Sequence, residues 1–226
     1  MYNNDVVLLR QTKHKTLRLA VLISDKGQGS TLQAIIQAIE QKMLDATIVL
    51  VISDKPGAKG LERAKKQGIT TFLHELYDKT SSSKREKYSK VLASLLNKKN
   101  IQIAVLAGFS TILAPSFLTT FKGKTLNIHP GLIPDRKDEQ IRFPDGTIAP
   151  WNKGLMTEKA VERFLNLSYS GSTIHLVTED ADFGPVLQRV FENVNKNDTV
   201  ETLYERLKAR EHEGIILALQ DLAKKE

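Results

Sequence analysis

Cysteine is absent from this 226-residue chain, which excludes disulfides, thiolate metal sites and thiol nucleophiles. Aromatic residues are scarce, at 6% of the sequence, and no stacking platform or recognisable nucleic-acid motif is present. Long apolar runs are missing near the start, where Val6 to Leu9 is too short for a signal-peptide core or a membrane span. These absences favour a cytoplasmic protein that binds neither nucleic acid nor a membrane.

Basic residues outnumber acidic ones, giving a net charge of +7 and a pI near 9.4. Such a balance suits phosphate or polycarboxylate ligands, and it also suits RNA. The lysines, however, are dispersed over helix ends and solvated faces rather than gathered in one patch. We therefore expect small-molecule substrates as partners.

Apolar β-rich segments alternate with segments of helical periodicity along the chain. Leu32 to Ile39 has apolar residues at 32, 35, 36 and 39, the spacing of one helix face. Ile103 to Ala107 is a continuous apolar run, typical of a central parallel strand. The alternation predicts an α/β fold with a doubly wound, mostly parallel twisted sheet flanked by helices and a Rossmann-like N-terminal half. The predicted strands are 17–24, 47–53, 70–73, 103–107, 125–129, 172–177 and about 186–191, and the predicted helices are 32–39, 61–67, about 88–96, 158–166 and about 199–224.

A glycine-rich loop joins the first strand to the first helix, between Ser24 and Leu32. Backbone N–H groups at such a helix start form an anion site, and glycines let a phosphate approach closely. A tight turn capped by Ser30 explains the loop equally well. A dinucleotide site is weaker, because Leu32 stands where a third glycine is needed, although Asp54 lies near the position of a ribose-binding acid.

Asn127 and His129 lie two residues apart in a predicted strand that Pro130 ends. In extended backbone both side chains point to the same face. An amide can donate to a developing oxyanion, an imidazole can move a proton near neutral pH, and a carboxylate such as Asp182 can favour the charged imidazole. The pattern indicates a catalytic site at a strand end, and the alternative is a strand-terminal turn with a hydrogen-bonded histidine.

Several longer segments carry a family resemblance that runs from about residue 17 to residue 220. They are 30–36, 60–69, 104–113, 126–135, 171–187 and the pair Glu211-His212. In these segments the chain resembles the phosphoribosylglycinamide formyltransferases, enzymes of purine synthesis that use 10-formyltetrahydrofolate. The resemblance implies an N-terminal extension over residues 1–16 and a single formyltransferase domain over 17–226, with an insert at about 136–153.

The resemblance also implies roles for individual residues. It makes Asn127, His129 and Asp182 catalytic, and Gly29, Ser30 and Thr31 the substrate-phosphate loop. Lys208 and Glu211 would contact the rest of the glycinamide substrate. The folate side of the cleft would consist of Arg85, Ser110, Thr111, Ile112, Leu113 and Asn127. It further implies 10-formyltetrahydrofolate as co-substrate, no metal, and a monomer or homodimer, while His175 is either functional or structural.

The chain departs from the family pattern in several places, among them one folate-contact position and one loop. Thr111 stands where a basic residue is usual, and the connection from Asp135 to Gly154 is longer than usual. Residues 142–147 of that connection carry a turn signal between β-favouring residues, which predicts a hairpin or lid beside the site. The open alternatives are a formyltransferase for a sugar nucleotide or methionyl-tRNA, a formyltetrahydrofolate hydrolase, a nicotinamide-dependent oxidoreductase and a catalytically silent phosphate-binding protein.

Overall fold

A computed structural model describes residues 16–24, 28–78 and 80–224. Most of the predicted N-terminal extension therefore lies outside the described residues, as does Gly27 of the glycine loop. The elements in chain order are β1 (Leu17–Ile23), α1 (Ser30–Glu40), β2 (Ala46–Ser53), α2 (Lys59–Lys66), β3 (Thr71–Leu73), α3 (Ser82–Lys98), β4 (Ile103–Ala107), α4 (Pro115–Thr120), β5 (Lys124–His129), α5 (Thr157–Glu162), β6 (Tyr169–Leu176), β7 (Val186–Asn193) and α6 (Val200–Ala223).

The strands form one seven-stranded sheet in the order β3-β2-β1-β4-β5-β6-β7. The first five strands in this order, β3-β2-β1-β4-β5, pair in parallel, whereas the β5–β6 and β6–β7 pairs are antiparallel. This confirms the predicted doubly wound, mostly parallel sheet. The strand order reverses between β1 and β4, and at such a switch point the carboxyl ends of the strands border a crevice suited to ligands.

Both faces of the sheet are covered by helices, as the continuous apolar strands predict. Leu19, Val21 and Ile23 of β1 pack into a cluster with residues of α1, α2 and α6. Ala20 and Leu22 pack into a second cluster with residues of α3 and α4. Leu126 of β5 also belongs to the first cluster. Because side chains alternate along a strand, residues 125, 127 and 129 face the opposite side of the sheet, where α3 and α4 lie.

A third apolar cluster lies under the long connection after β5. Phe143 and Ala149 of this connection pack against Val161, Phe164 and Leu203. An antiparallel bridge between residues 142 and 148 forms the hairpin that the turn signal predicted. The connection is thus anchored by its own buried side chains.

Several elements differ from the sequence prediction, and three of the differences have a clear physical reason. Helix α4 was not predicted, because six residues beginning at Pro115 are too few to show helical periodicity. The helix predicted over 158–166 ends at Glu162, since hydrogen bonds to the third preceding carbonyl turn the chain and carry Phe164 into the third cluster. Strand β6 begins at Tyr169 rather than Ser172, because residues 169–171 continue the pairing with β7.

No helix in the described ranges combines the length and apolar character that a membrane crossing requires.

Candidate active site

The antiparallel pairing of β5 with β6 brings Asn127 opposite His175. The Nδ2 atom of Asn127 lies 3.4 Å from Nε2 of His175, and Nδ1 of His175 lies 3.0 Å from the Leu176 carbonyl oxygen. Because a carbonyl only accepts, Nδ1 carries the hydrogen and Nε2 is the acceptor for the Asn127 amide. Burial lowers the pKa of His175 to about 4, so this ring is neutral at pH 7. His175 thereby fixes which end of the Asn127 amide donates.

His129 is 3% exposed and lies between two hydrogen-bond acceptors. Its Nε2 atom donates to the main-chain carbonyl of Trp151 at 2.6 Å, and its Nδ1 atom lies 3.4 Å from Oδ1 of Asp182. Only the imidazolium satisfies both acceptors at once. A Cβ at Gly131 would lie 2.9 Å from His129 Nε2 and 2.1 Å from the Trp151 oxygen, so this close approach requires glycine.

Asp182 occupies a left-handed backbone conformation, with φ at +50°. Its Oδ2 atom accepts from the Gly154 N–H at 2.8 Å, and its main-chain carbonyl accepts from the Trp151 indole at 2.8 Å. Burial opposes ionisation of Asp182, but the bonds from His129 and Gly154 outweigh it and hold the pKa of this carboxyl below its usual value. The carboxylate is therefore ionised at neutral pH.

The glycine turn ends at Gly29, which has φ at +72° and caps the N-terminus of α1. A Cβ at this position would lie 2.8 Å from Gly60 Cα, so α2 packs directly on the turn. The N-cap residue is Gly29, which has no side chain, and Ser30 is already the first residue of the helix, so the interpretation as a turn capped by Ser30 is wrong. Ser30 and Thr31 instead supply the first helical N–H groups, which lack partners within the helix and suit an anion.

Glu211 of α6 is a buried carboxyl that accepts from the Ser172 hydroxyl at 2.6 Å. Burial raises the pKa of Glu211 to about 7, and the Ser172 bond, Lys208 and His129 oppose that rise. Lys208 is one turn away, with its Nζ 4.8 Å above the Tyr204 ring. Both residues predicted to contact the glycinamide substrate thus lie on one stretch of α6.

The predicted folate segment 110–113 begins with two hydroxyls that contact Asp54. Ser110 Oγ lies 3.1 Å and Thr111 Oγ1 lies 2.6 Å from Oδ2 of Asp54, while Ser24 donates to Oδ1 at 2.5 Å. Thr111 is 4% exposed, whereas the next residue, Ile112, is 74% exposed. Arg85 lies in the first turn of α3.

Asp54 links the end of β1 to the start of this segment, a role that sequence reasoning missed. Parallel pairing of β1 with β2 brings Ser24 and Asp54, each following its strand, to the same sheet edge. The expected parallel pairing of these two strands was the signal that could have indicated this contact. Trp151, the other missed residue, carried no signal beyond being the single tryptophan of the chain.

A cavity of about 380 Å³ lies at the start of β5. Thr125 lines it two residues before Asn127, so cavity and amide share one face of the strand. The Thr125 hydroxyl is buried without a hydrogen-bond partner. The remaining lining is mixed and comprises Leu118, Phe121, Gly123, Lys124, Leu176, Val177, Thr178 and Glu179.

Comparison with known proteins shows consistent similarity. Residues 17–219 match the formyl transferase family. The human trifunctional purine biosynthetic protein adenosine-3 is 36% identical over 211 residues, which cover 92% of this chain and 18% of that protein. The phosphoribosylglycinamide formyltransferase of Escherichia coli K12 is 35% identical, over 87% of this chain and 82% of that enzyme. The chain thus spans less than a fifth of the multifunctional relatives and most of the bacterial one.

Solved structures resemble the whole sheet. Glycinamide ribonucleotide transformylase 1 from Symbiobacterium toebii superposes with a TM-score of 0.77 and 29% sequence identity, covering 94% of this chain and 90% of that one.

Proposed function

The chain belongs to the formyl transferase family, and from that premise we propose that it is an enzyme that transfers the formyl group of 10-formyltetrahydrofolate to the amine of 5′-phosphoribosylglycinamide in de novo purine biosynthesis. The supporting observation is the cluster at the end of β5, where Asn127 offers an amide donor and His129 lies beside the carboxylate of Asp182. Relatives named phosphoribosylglycinamide formyltransferase in Escherichia coli and Dictyostelium discoideum support the choice of acceptor.

The chemistry requires donors for a developing negative oxygen and a route for one proton. When the substrate amine attacks the formyl carbon, a carbon–nitrogen bond forms and the formyl oxygen becomes negative. The Asn127 Nδ2–H and the His129 imidazolium are donors suited to that oxygen. The bond from the formyl carbon to the folate nitrogen then breaks, the amine loses one proton and the folate nitrogen gains one. His129, paired with Asp182, is the group suited to move that proton.

The glycinamide substrate is proposed to bind through its phosphate and its glycinamide part. The N–H groups at Gly29, Ser30 and Thr31 suit the phosphate, because they lie at the positive end of the α1 dipole. Lys208 and Glu211 on α6 would contact the remainder. Remote phosphate binding of this kind supplies binding energy that orients the reacting amine.

The folate is proposed to occupy the side of the cleft that holds the 380 Å³ cavity. The cavity lies on the same strand face as Asn127, because Thr125 lines it two positions before that residue. Asn127 would contact the folate near the formyl group, with Arg85 and the segment Ser110, Thr111, Ile112 and Leu113 bordering it. No metal is proposed, since the Asn127 and His129 donors suffice for this oxyanion.

A nicotinamide-dependent oxidoreductase is disfavoured by the environment of Asp54. Such an enzyme uses an acid near this position to bind ribose hydroxyls. Here the Asp54 carboxylate is 3% exposed and already accepts from Ser24, Ser110 and Thr111. We further propose small-molecule partners only, a cytoplasmic location, and a monomer or homodimer.

Initial rates with a panel of acceptors test the proposal. The panel offers 5′-phosphoribosylglycinamide, an amino sugar nucleotide, methionyl-tRNA and water alone, each with 10-formyltetrahydrofolate. We expect the glycinamide to give the highest kcat/KM by a wide margin. Equal folate turnover with and without an amine would identify a hydrolase, and preference for another amine would reassign the acceptor.

A further inference from the structure

Trp151 contacts both members of the His129–Asp182 pair. Its main-chain carbonyl accepts from His129 Nε2 at 2.6 Å, and its indole Nε1–H donates to the Asp182 carbonyl at 2.8 Å. Because the carbonyl and the indole belong to one residue, the conformation of Trp151 alone sets the distance between the two contacts. We propose that Trp151 is a positioning residue that clamps His129 and Asp182 together for catalysis.

The backbone of Trp151 is itself held against the end of β5. The next residue, Asn152, is 2% exposed and donates through Nδ2 to the Pro130 carbonyl at 2.9 Å. A second bond from the same Nδ2 reaches the Ala160 carbonyl at 3.2 Å. Because Pro130 directly follows His129, these bonds tie the Trp151 carbonyl to the strand end that presents the imidazole.

The indole ring packs against the turn that contains Asp182. The ring packs against Phe183 at a centroid distance of 5.6 Å, and Lys153 Nζ lies 5.1 Å above its centroid. Lys153 also donates to Asp180 at 2.9 Å. A left-handed conformation is costly for a residue other than glycine and persists only where its surroundings hold it. The indole bond to the Asp182 carbonyl is one such constraint.

The clamp determines which imidazole nitrogen serves the reaction. The Nε2–H of His129 is held in a short hydrogen bond to the Trp151 carbonyl, which can only accept. Nδ1 instead faces Asp182 at the longer distance of 3.4 Å. Nδ1 is therefore the atom that offers its proton to the reacting groups. This consequence rests on the proposed formyl transfer, whereas the clamp itself is a property of the protein without substrate.

Two replacements remove the indole donor. Trp151→Phe removes the N–H and part of the ring. Because the chain has one tryptophan, biosynthetic replacement of tryptophan by benzothienylalanine changes this position alone and exchanges the N–H for sulfur in a ring of similar shape. We expect each to lower kcat about tenfold, the effect of losing one hydrogen bond, with both KM values within about twofold.

The readouts separate positioning from mere stability. The acid limb of the kcat profile should move to higher pH, because a loosened Asp182 loses the bonds that keep its pKa low. Two other titratable groups act on the pair: His175 of β6 on Asp182, and Glu211 of α6 on His129. Lys137 and Lys153 pair with Asp180, two residues before Asp182. In 15N-histidine-labelled protein, the Nδ1–H signal of His129 should shift or broaden without any substrate present.

Phe143→Leu is the matched control, because it weakens packing of the same connection but leaves the contacts of Trp151 in place. It should lower thermal stability and leave the His129 signal unchanged. An unaltered Nδ1–H signal and acid limb in a folded Trp151 variant would overturn the proposal, as would an equal change in Phe143→Leu. The NMR comparison decides this even if the acceptor panel shows no formyl transfer, so failure of the clamp and failure of the proposed function are distinguishable.

Discussion

The Nδ1 atom of His129 lies 3.4 Å from the Oδ1 atom of Asp182, and the imidazole is 3% exposed while the carboxylate side chain is 24% exposed. A buried imidazolium needs a nearby anion, because water is not available to stabilise its charge. Asp182 provides that anion from a loop that another segment holds in place. The pair is thus the electrostatic centre of the proposed site.

Replacing the Asp182 carboxylate should remove this stabilisation. Asp182→Asn preserves size but removes the charge, and we expect kcat to fall by about 10² to 10⁴ with substrate binding largely kept. The sign follows because loss of a neighbouring anion disfavours the imidazolium. Steady-state kinetics measure the loss, and a His129→Ala, Asp182→Asn double variant should lose far less than the sum of the single losses, expressed as free energies.

Asp180→Asn is the control for this prediction, since it makes the same chemical change two residues away. Asp180 pairs with the exposed amines of Lys137 and Lys153 rather than with His129. Exposed ion pairs contribute little, so its kcat should stay within about fivefold of the parent. Near-normal turnover of Asp182→Asn with an unshifted pH profile would reduce Asp182 to a turn residue.

The neutral His175 should matter as an acceptor rather than as an acid or base. His175→Leu deprives the Asn127 amide of its partner, and we expect kcat to fall about tenfold. His175→Gln supplies a carbonyl oxygen and should recover part of that loss. Because the pKa of His175 is about 4, the parent profile between pH 5 and 8 should show no ionisation from this ring. Leu and Gln variants of equal activity would argue against the role.

Gly29 should be needed for the ribonucleotide more than for the folate. Valine at this position would combine a left-handed φ with a Cβ 2.8 Å from Gly60 Cα, distorting the turn that offers the N–H groups. We expect ribonucleotide affinity to fall about tenfold or more, equivalent to about 1.4 kcal/mol, with a much smaller change for folate. Calorimetric titration of each ligand measures this.

Gly57→Val is the counterpart, because Gly57 has the same φ of +72° but no atom within 4 Å of an added Cβ. It should lower stability through backbone strain alone and leave both affinities unchanged. Equal loss of both ligands in a folded Gly29→Val protein would place the phosphate elsewhere.

Glu211 should make stability depend on pH. Its pKa is raised from 4.5 to about 7 on folding, so the folded state retains this proton longer than the unfolded state does. The contribution is therefore present at pH 4.5 and is lost as the pH rises through 7, by an amount on the order of 3 kcal/mol. Glu211→Gln should flatten this part of the stability–pH curve in urea unfolding, and an identical slope in both proteins would contradict the buried, protonated carboxyl.

Much of the fold and part of the site could be predicted from local patterns. The i, i+2 spacing of Asn127 and His129 at a strand end fixes their common face, because strand side chains alternate. Continuous apolar runs gave the parallel core, since both faces of those strands are buried. The site assignments that came from the family resemblance stay predictions until they are measured.

What could not be predicted depends on contacts between distant segments. Trp151 reaches His129 across 22 positions and Asp182 across 31, and no local periodicity encodes such pairs. Likewise, the Thr111 hydroxyl donates to the buried Asp54, which is 57 positions away. The presence of threonine where the family usually has a basic residue did not predict that contact. The short helix α4 was missed for the different reason that one and a half turns carry too little pattern.

Following the formyl carbon itself tests the central claim most directly. With 13C-formyl-labelled 10-formyltetrahydrofolate and 5′-phosphoribosylglycinamide, NMR reports where the labelled carbon goes as the reaction proceeds. The account predicts that the label leaves the folate and appears as a formamide on the glycinamide nitrogen at the same rate, and that Asp182→Asn slows both changes equally. Label appearing as free formate, or remaining on the folate while the glycinamide stays unchanged, would contradict it.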